Sequence, residues 1–198
     1  MNDDSTPIAF FDFDGTLTKR DTLMPYLKYT LGPLLYYWNL LKVSPTLLAA
    51  FFRVISRDNA KRKLLKVCLA GLSEVFLYDK GKGFSLEIDS KMLRSDMMES
   101  LRKHQKKNHF CVIVSASLPY YLEPWCSMHN IDFLISTKLD SLNGVCGGDI
   151  FHKNCRGEEK VARIMEIFPD LKKRKSFAYG NSKDDIPMIN IASKGYMI

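Results

Sequence analysis

Two carboxylates two residues apart lie near the beginning of the chain, where an apolar segment meets a Gly-Thr turn. Residues 10–16 read FFDFDGT. Side chains alternate along a strand, so Asp12 and Asp14 are predicted to leave it on the same side, and Gly15 allows a sharp turn that brings backbone N–H groups to an anion. One carboxylate could attack phosphorus while the other moves protons. The pattern predicts phosphate chemistry; the alternative is a capped strand end with a solvated acidic turn.

Two further side chains could hold a phosphate. Ser115 ends an apolar segment shortly before Pro119, which can start a helix, and helix N-termini bind anions. Lys160 is predicted in the first turn of a later helix, where a cation opposes the helix dipole and an adjacent anion would explain its presence. The alternatives are an ordinary N-cap for the serine and a surface position for the lysine.

A polar, acidic turn, residues 180–185 (GNSKDD), follows a fourth apolar segment and offers oxygen ligands. In an open parallel sheet, ligands bind beyond the carboxyl ends of the strands. Asp12, Ser115 and Asn181 are all predicted at that edge. Their agreement is a stronger indication of a site than any one motif.

The elements that would position these residues alternate between strands and helices. Strands are predicted at 8–13, 110–114, 131–136 and 176–179, and helical apolar stripes lie at 92–101 and 161–168. This alternation predicts an α/β fold, a Rossmann-like parallel sheet with helices on both faces. Asn143-Gly144 predicts a small hairpin within 137–151.

The distance between the first two strands indicates an insertion. About 100 residues separate Asp14 from Ser115, whereas a strand–helix–strand unit needs roughly 30. We therefore predict a core domain of residues 1–20 and 89–198 and a helical cap of residues 21–88, inserted after the first strand. Cap helices are predicted near 22–31, 33–42, 46–57 and 59–71, and the next core helix from Asp89 or Ser90. Pro33 and Pro45 mark helix starts, and Asp58 is a candidate N-cap for the last cap helix.

In this order the motifs resemble those of the haloacid dehalogenase (HAD) superfamily. The matching residues are Asp12 to Thr16, Ser115, Lys160, and Gly180 to Asp185. The helical insertion, the serine motif at 114–117 and the segment from Asn154 to Lys160 are similar to the phosphoserine phosphatase-like branch. Bacterial members of that branch include phosphatidylglycerophosphatases with caps rich in Leu and aromatic residues.

The resemblance implies a magnesium-dependent phosphatase acting on a small soluble phosphomonoester. Asp12 would be the nucleophile that carries an aspartyl-phosphate, and Asp14 the general acid and base. Thr16, Ser115 and Lys160 would bind the phosphate. Mg²⁺ would be held by Asp12, the carbonyl of Asp14, Asn181 and, through water, Asp185.

Asn181 departs from the family pattern, which usually has aspartate at this position. The amide oxygen can bind magnesium but brings no charge, so weaker metal binding is expected. Asp184 and Asp185 could compensate by shifting inward; otherwise the enzyme would be slow or a non-catalytic phosphate-binding protein. Activity is favoured because the other polar residues of the motifs remain.

The amino-acid composition limits the kinds of binding partner that can be expected. The 198 residues carry a net charge of +7, spread over short basic clusters at 61–63, 102–107 and 172–175. These clusters predict solvated helix faces and attraction of a phosphate substrate. No helix-turn-helix, zinc-finger or aromatic RNA-binding signature is present, so no nucleic-acid partner is expected.

Cysteine usage and the first residues indicate a cytoplasmic protein. The five cysteines form an odd set without C-x-x-C spacing, which predicts reduced thiols. Residues 1–7 are acidic and lack the pattern of a secretory signal.

The segment 31–55 is unusually apolar, yet its longest uncharged run, residues 29–41, is too short to span a membrane. It could contact the inner membrane face peripherally, with Lys28, Lys42 and Arg53 at the headgroups, which would favour a lipid phosphate as alternative substrate. Otherwise the cap packs on its own core or on a second subunit, and the oligomeric state stays open. Arg53, Arg57 and Arg62 are candidates for substrate contacts or for a solvated face.

Overall fold

The computed structural model describes residues 6–198, so residues 1–5 of the segment used for the leader prediction lie outside it. The strands are β1 (Ile8–Phe11), β2 (Phe110–Ser115), β3 (Phe133–Ser136), β4 (Leu139–Leu142), β5 (Val145–Ile150), β6 (Ser176–Gly180) and β7 (Lys194–Met197). A parallel sheet with the strand order β3-β2-β1-β6-β7 forms the centre of the fold, and β4 and β5 form a separate antiparallel pair.

Eight α-helices accompany these strands in the described part of the chain. They are α1 (Leu23–Leu31), α2 (Pro33–Phe51), α3 (Arg57–Leu69), α4 (Glu74–Lys91), α5 (Ser95–Lys106), α6 (Pro119–Met128), α7 (Glu158–Ile167) and α8 (Ile186–Ile191). The predicted α/β class is confirmed, and five helices, α1 to α5, fall between β1 and β2.

The central strand β1 is buried on both faces because its side chains alternate between two hydrophobic cores. Ala9 and Phe11 belong to a core that extends through α5 and α6 into the cap helices. Ile8 and Phe10 belong to a second core with residues of α7 and α8. Helices therefore cover both faces of the sheet, as predicted. The cap packs into the hydrophobic core on the face that carries Ala9 and Phe11.

The second cap helix corrects the sequence prediction, which broke it at Pro45. One helix, α2, runs through Pro45. Proline lacks the N–H that would bond the carbonyl four residues earlier. That carbonyl, on Leu41, instead accepts a hydrogen bond of 2.8 Å from the hydroxyl of Ser44, so the helix continues without an unsatisfied group.

The end of the cap also differs from the prediction. Helix α3 is capped by Ser56, which accepts from Asn59 N, rather than by Asp58. Helix α4 was not predicted, and it runs to Lys91, so the predicted helix start at Asp89 or Ser90 is wrong. The division into residues 1–20, 21–88 and 89–198 stays a prediction.

The predicted hairpin is confirmed and holds the cap against the core. Asn143 and Gly144 have φ values of 51° and 76°, which suit a tight two-residue hairpin turn. The hairpin backbone bonds the loop between α3 and α4: Gly71 N donates to Cys146 O, and Glu74 N donates to Gly144 O, each at 2.8 Å. These contacts restrict how far the cap can move from the core.

All five cysteines are buried, unpaired thiols, as expected from their spacing. Among residues 6–198, none of the helices combines the length and apolar composition needed to cross a bilayer.

Candidate active site

Three strand ends meet at the carboxyl edge of the sheet and open into one cavity of about 320 Å³. Asp12 follows β1, Ser115 ends β2 and Asn181 follows β6, as predicted. The cavity is also lined by Asp14, Lys160 and Asp185. The structure thus brings together every predicted site residue except Thr16, which lies behind this lining.

Asp12 and Asp14 reach the cavity through a turn and not through strand alternation. β1 ends at Phe11, and residues 13–17 form a wide turn whose backbone is not helical at Asp14 and Gly15, the latter with a φ of 80°. Phe13, between the two carboxylates, points into the core against Trp125. A Cβ on Gly15 would collide with the side chain of Asn181, so only glycine lets the turn pack so close to that residue.

Lys160 joins two carboxylates at the bottom of the cavity. Its ammonium lies 2.7 Å from Asp12 Oδ1 and 2.6 Å from Asp185 Oδ1, and its side chain is 2% exposed. Burial disfavours the ammonium, but the attraction of the two carboxylates outweighs it and raises the pKa of Lys160. Lys160 is the third residue of α7, so the predicted first-turn position is confirmed.

The two carboxylates respond differently to this cation. Burial raises the pKa of Asp12, although Lys160 opposes the shift. Asp185 is also buried, but Lys160 and the donors of Ser182 more than offset this and lower its pKa. Asp185 Oδ2 accepts from Ser182 N, Ser182 Oγ and Asn181 N at 3.0, 2.7 and 3.2 Å. Both Asp185 oxygens are therefore engaged by the protein.

Thr16 supports the site from behind. Its hydroxyl donates to Asp12 Oδ2 at 2.8 Å and lies 3.3 Å from Asn181 Oδ1. With Lys160 on the other oxygen, Asp12 is held at both carboxylate oxygens. The structure thus shows Thr16 orienting Asp12, and its predicted phosphate contact stays a prediction.

Asp14 is held between the core and the start of the cap. Thr22 donates to Asp14 Oδ1 through its backbone N (2.7 Å) and its hydroxyl (2.6 Å), and Ser117 Oγ donates to Oδ2. Burial raises the pKa of Asp14 to about 7, with the charge of Asp21 adding to the shift. A carboxyl group with such a pKa can give and take a proton near neutral pH.

Ser115 is fully buried at the end of β2. Its oxygen accepts a hydrogen bond of 3.0 Å from Ser117 N. A hydroxyl that accepts in this way can still donate its proton to an anion in the cavity.

The cap closes the cavity with charged residues of α3. Lys61 Nζ donates to the carbonyl of Ala116 (2.6 Å) and to Asn154 Oδ1 (2.8 Å), and Asn154 Nδ2 donates to Asp58 Oδ1 (2.7 Å). Burial lowers the pKa of Lys61 to about 8, and the charges of Asp14, Asp21 and Asp58 oppose that shift. The cap thus places both signs of charge over the strand ends.

Lys61 corrects the prediction that the basic cluster 61–63 lies on a solvated face. The sequence carries no signal for the direction in which α3 faces. Thr22, just before α1, was missed because its contact with Asp14 likewise depends on how the inserted segment lies on the core. Ser117 was recognisable only from its spacing of two after Ser115. Of the three candidate arginines, Arg57 lines the cavity, whereas Arg62 instead bonds Asp149 at 2.5 Å and two carbonyls near the hairpin.

The oxygen donors at this edge fit magnesium in kind. In the part of the chain that the structure describes, no three His, Cys, Asp or Glu side chains are grouped to share a metal ion. A cation beside Asp12 would therefore also need the Asn181 amide and a backbone carbonyl. Carboxylate, amide and carbonyl oxygens are the donors of hard divalent cations, so the set suits Mg²⁺ with little negative charge.

The fold and the polar residues at the carboxyl ends of its strands are those of a known class of proteins. Residues 9–190 match the family of haloacid dehalogenase-like hydrolases, and the chain belongs to that family. The resemblance of the motifs is thereby confirmed.

Individual proteins are similar over nearly the whole chain. Protein CicA of Caulobacter vibrioides is 34% identical over 194 residues, covering 96% of this chain and 86% of that protein. A protein of unknown function from Bordetella pertussis Tohama I has a TM-score of 0.78 at 20% identity, over 94% of this chain and 86% of that one. Phosphoserine phosphatase, solved as a phospho-aspartyl intermediate analogue, has a TM-score of 0.63 at 16% identity, over 95% and 84%.

The buried ion triad generates a stability prediction. Lys160→Met leaves Asp12 and Asp185 without their shared cation, and breaking a buried pair costs about 3–5 kcal/mol. We expect a loss of that order in the free energy of unfolding, measured by urea denaturation without metal. Lys160→Met/Asp12→Asn should recover part of it, because Asp185 keeps the donors of Asn181 and Ser182. A loss below about 1 kcal/mol for Lys160→Met would contradict this account of the triad.

Proposed function

We propose that this protein is a magnesium-dependent phosphatase that hydrolyses phosphomonoesters through an aspartyl-phosphate on Asp12. The observation that carries the proposal is the cavity at the strand ends, where Asp12 and Asp14 lie with Ser115 and Lys160 in a hydrolase of the haloacid dehalogenase-like family. The inference from this cavity to phosphate rests on the chemistry of the side chains that line it.

Asp12 is the proposed nucleophile. Thr16 and Lys160 each hold one of its carboxylate oxygens, so little orientational freedom is left to lose on reaching the transition state. One oxygen would attack phosphorus in line, the P–O bond to the alcohol would break, and the phosphoryl group would stay on Asp12. Water would then attack the same phosphorus and release inorganic phosphate and the free carboxylate.

Asp14 is the proposed proton carrier in both steps. In its protonated form it would give its proton to the departing alcohol, and the resulting carboxylate would take a proton from the attacking water. The pKa of about 7 that burial gives Asp14 suits both roles. Thr22 and Ser117 hold the carboxyl group in one orientation during this exchange.

The phosphate oxygens would be held by Ser115 and Lys160, with Thr16 acting through Asp12. The raised pKa of Lys160 keeps a positive charge beside the oxygens throughout the reaction. Magnesium, when bound by Asp12, the Asp14 carbonyl and Asn181 with Asp185 behind them, would supply further positive charge for Asp12 and the phosphate. Asp185, already bonded at both oxygens, fits a role through water.

The cavity supports a small, polar substrate. Its volume is about 320 Å³, and its cap side carries Asp21, Arg57, Asp58 and Lys61. Charges of both signs there would pair with a polar, charged molecule and would disfavour a large apolar group. We therefore propose a small soluble phosphomonoester.

A lipid phosphate is a second candidate, favoured by a cleft beside the cavity. This cleft, of about 680 Å³, lies between the end of α2 and the start of α3 and is lined by Leu47, Phe51, Val54 and Ile55, among others. Arg57 lines both spaces. An apolar chain in the cleft could therefore belong to a molecule whose phosphate occupies the site.

The nucleophile can be tested with p-nitrophenyl phosphate and magnesium. Asp12→Asn should lower kcat by at least about a thousandfold, because the amide cannot form the phosphoryl intermediate. Asp14→Asn should instead accumulate phosphoprotein with this good leaving group, detected by mass spectrometry after acid quenching. The exposed Asp79→Asn, on α4, is the matched control and should keep wild-type turnover. A wild-type rate equal to that of Asp12→Asn would contradict the proposed phosphatase and leave a non-catalytic role.

The role of Asn181 can be separated from turnover by measuring metal binding alone. Asn181→Asp adds a negative charge beside Asp12 and should tighten magnesium binding about tenfold in calorimetry without substrate. Asn59→Asp adds the same charge at an exposed cap position and should leave the Kd unchanged. If Asn181→Asp also leaves the Kd unchanged, Asn181 is not a ligand.

The two substrate classes can be compared with one head group. A short-chain phosphatidic acid below its micelle concentration and glycerol phosphate differ in their acyl chains. A small soluble substrate predicts a higher kcat/KM for glycerol phosphate. A higher kcat/KM for the lipid that is lost in Val54→Glu would support the second candidate.

A further inference from the structure

Helix α2 presents an apolar stripe to the solvent. The stripe, called here the α2 outer face, consists of Leu34, Trp38, Leu41, Pro45, Leu48 and, directly after the helix, Phe52. Successive members are three or four residues apart, which places them on one side of a helix. Its five large hydrophobic side chains are between 56% and 88% exposed. A helix on a water-facing surface normally turns polar residues outward, so this arrangement is inverted.

The fold does not use this face. The opposite side of α2 carries the buried residues Tyr36, Asn39 and Val43, and through it the helix packs on α1 and α3. The outward residues therefore add nothing to the packing of the cap, and they cost solubility. A partner that covers the stripe would explain its composition.

Charge around the stripe is of one sign. No Asp or Glu occurs between Asp21 and Asp58, whereas that interval contains Lys28, Lys42, Arg53 and Arg57. The ammonium of Lys28 lies 5.1 Å from the ring centre of Tyr37, and that of Lys42 lies 5.5 Å from the ring centre of Trp38. Apolar side chains bordered by aromatic rings and cations are typical of helices that lie in the interface of an anionic bilayer.

We propose that the α2 outer face docks on the surface of an anionic lipid bilayer, with the helix lying in the plane of the membrane. At 19 residues the helix is about 28 Å long, and its buried side stays on the cap. A second copy of the chain fits less well, because a symmetric contact would bring the same cations together with no carboxylate of the segment to pair them. The inference goes beyond the proposed function, since a docked enzyme could act on either substrate class.

Vesicle flotation tests the docking directly. The wild-type protein should float with phosphatidylcholine–phosphatidylglycerol vesicles at low salt and much less with phosphatidylcholine alone. The emission of Trp38 should shift to the blue on binding, because the other tryptophan, Trp125, is already fully buried. No flotation and no shift at low salt would overturn the proposal.

Two matched double variants locate the contact. Trp38→Gln/Leu41→Gln should lower partitioning about tenfold or more, because two apolar side chains no longer enter the bilayer. Val75→Gln/Leu86→Gln removes two exposed apolar side chains from α4 and should partition like the wild type. Equal losses in both variants would contradict a specific docking face.

A last comparison separates the bilayer from a second copy. Analytical ultracentrifugation should show the same mass for the wild type and Trp38→Gln/Leu41→Gln. A wild-type dimer that this variant dissociates, without vesicle binding, would assign the face to self-association and overturn the proposal. Turnover of p-nitrophenyl phosphate without vesicles should be equal in the two proteins, so failure of docking and failure of the phosphatase chemistry are distinguishable.

Discussion

The ammonium of Lys160 between Asp12 and Asp185 is the interaction on which the site depends. Two carboxylates this deeply buried would repel each other and take up protons without a cation between them. Lys160 comes from the first turn of α7, Asp12 follows β1, and Asp185 lies after β6. One side chain therefore fixes three parts of the core relative to one another. The strand ends can carry charged groups because this pairing lowers the energy of holding charge in the protein interior.

The cap depends on the same edge. Thr22, directly before α1, bonds the Asp14 carboxylate, while Lys61 of α3 bonds the carbonyl of Ala116. The loop between α3 and α4 is bonded by the hairpin. The inserted segment thus contacts the chain just after β1 and just after β2, and it closes the cavity with charges of both signs. Movement of the cap would therefore change the hydrogen bonds of Asp14 together with access to the cavity.

The sequence predicted the features that neighbouring residues determine and missed those that depend on contacts between distant parts of the chain. The strand ends were predictable because buried strands and the turns after them are local patterns, and parallel strands share an edge. Helix α4 was missed because Gly81 occupies a buried position where its backbone lies against Tyr120, leaving a gap in the apolar pattern. At Pro45 of α2 the hydroxyl of Ser44 bonds the carbonyl that proline leaves free, a compensation that the apolar pattern does not show. The burial of Lys61 depends on how the cap sits on the core, which no local pattern records.

The apolar segment 31–55 shows that local composition also leaves the direction of side chains undetermined. Composition indicated hydrophobic surface, but the direction of each side chain decides whether that surface is core or contact face. In the folded chain Tyr36 and Val43 turn inward, whereas Trp38 and Leu41 turn outward. Arg57, at the start of α3, lines both the cleft beside this helix and the site cavity. The polar cavity of the core and the apolar surface of the cap are therefore built from separate sets of residues, and Arg57 borders both. Because they are separate, the cap surface can change while the polar groups at the strand ends stay in place.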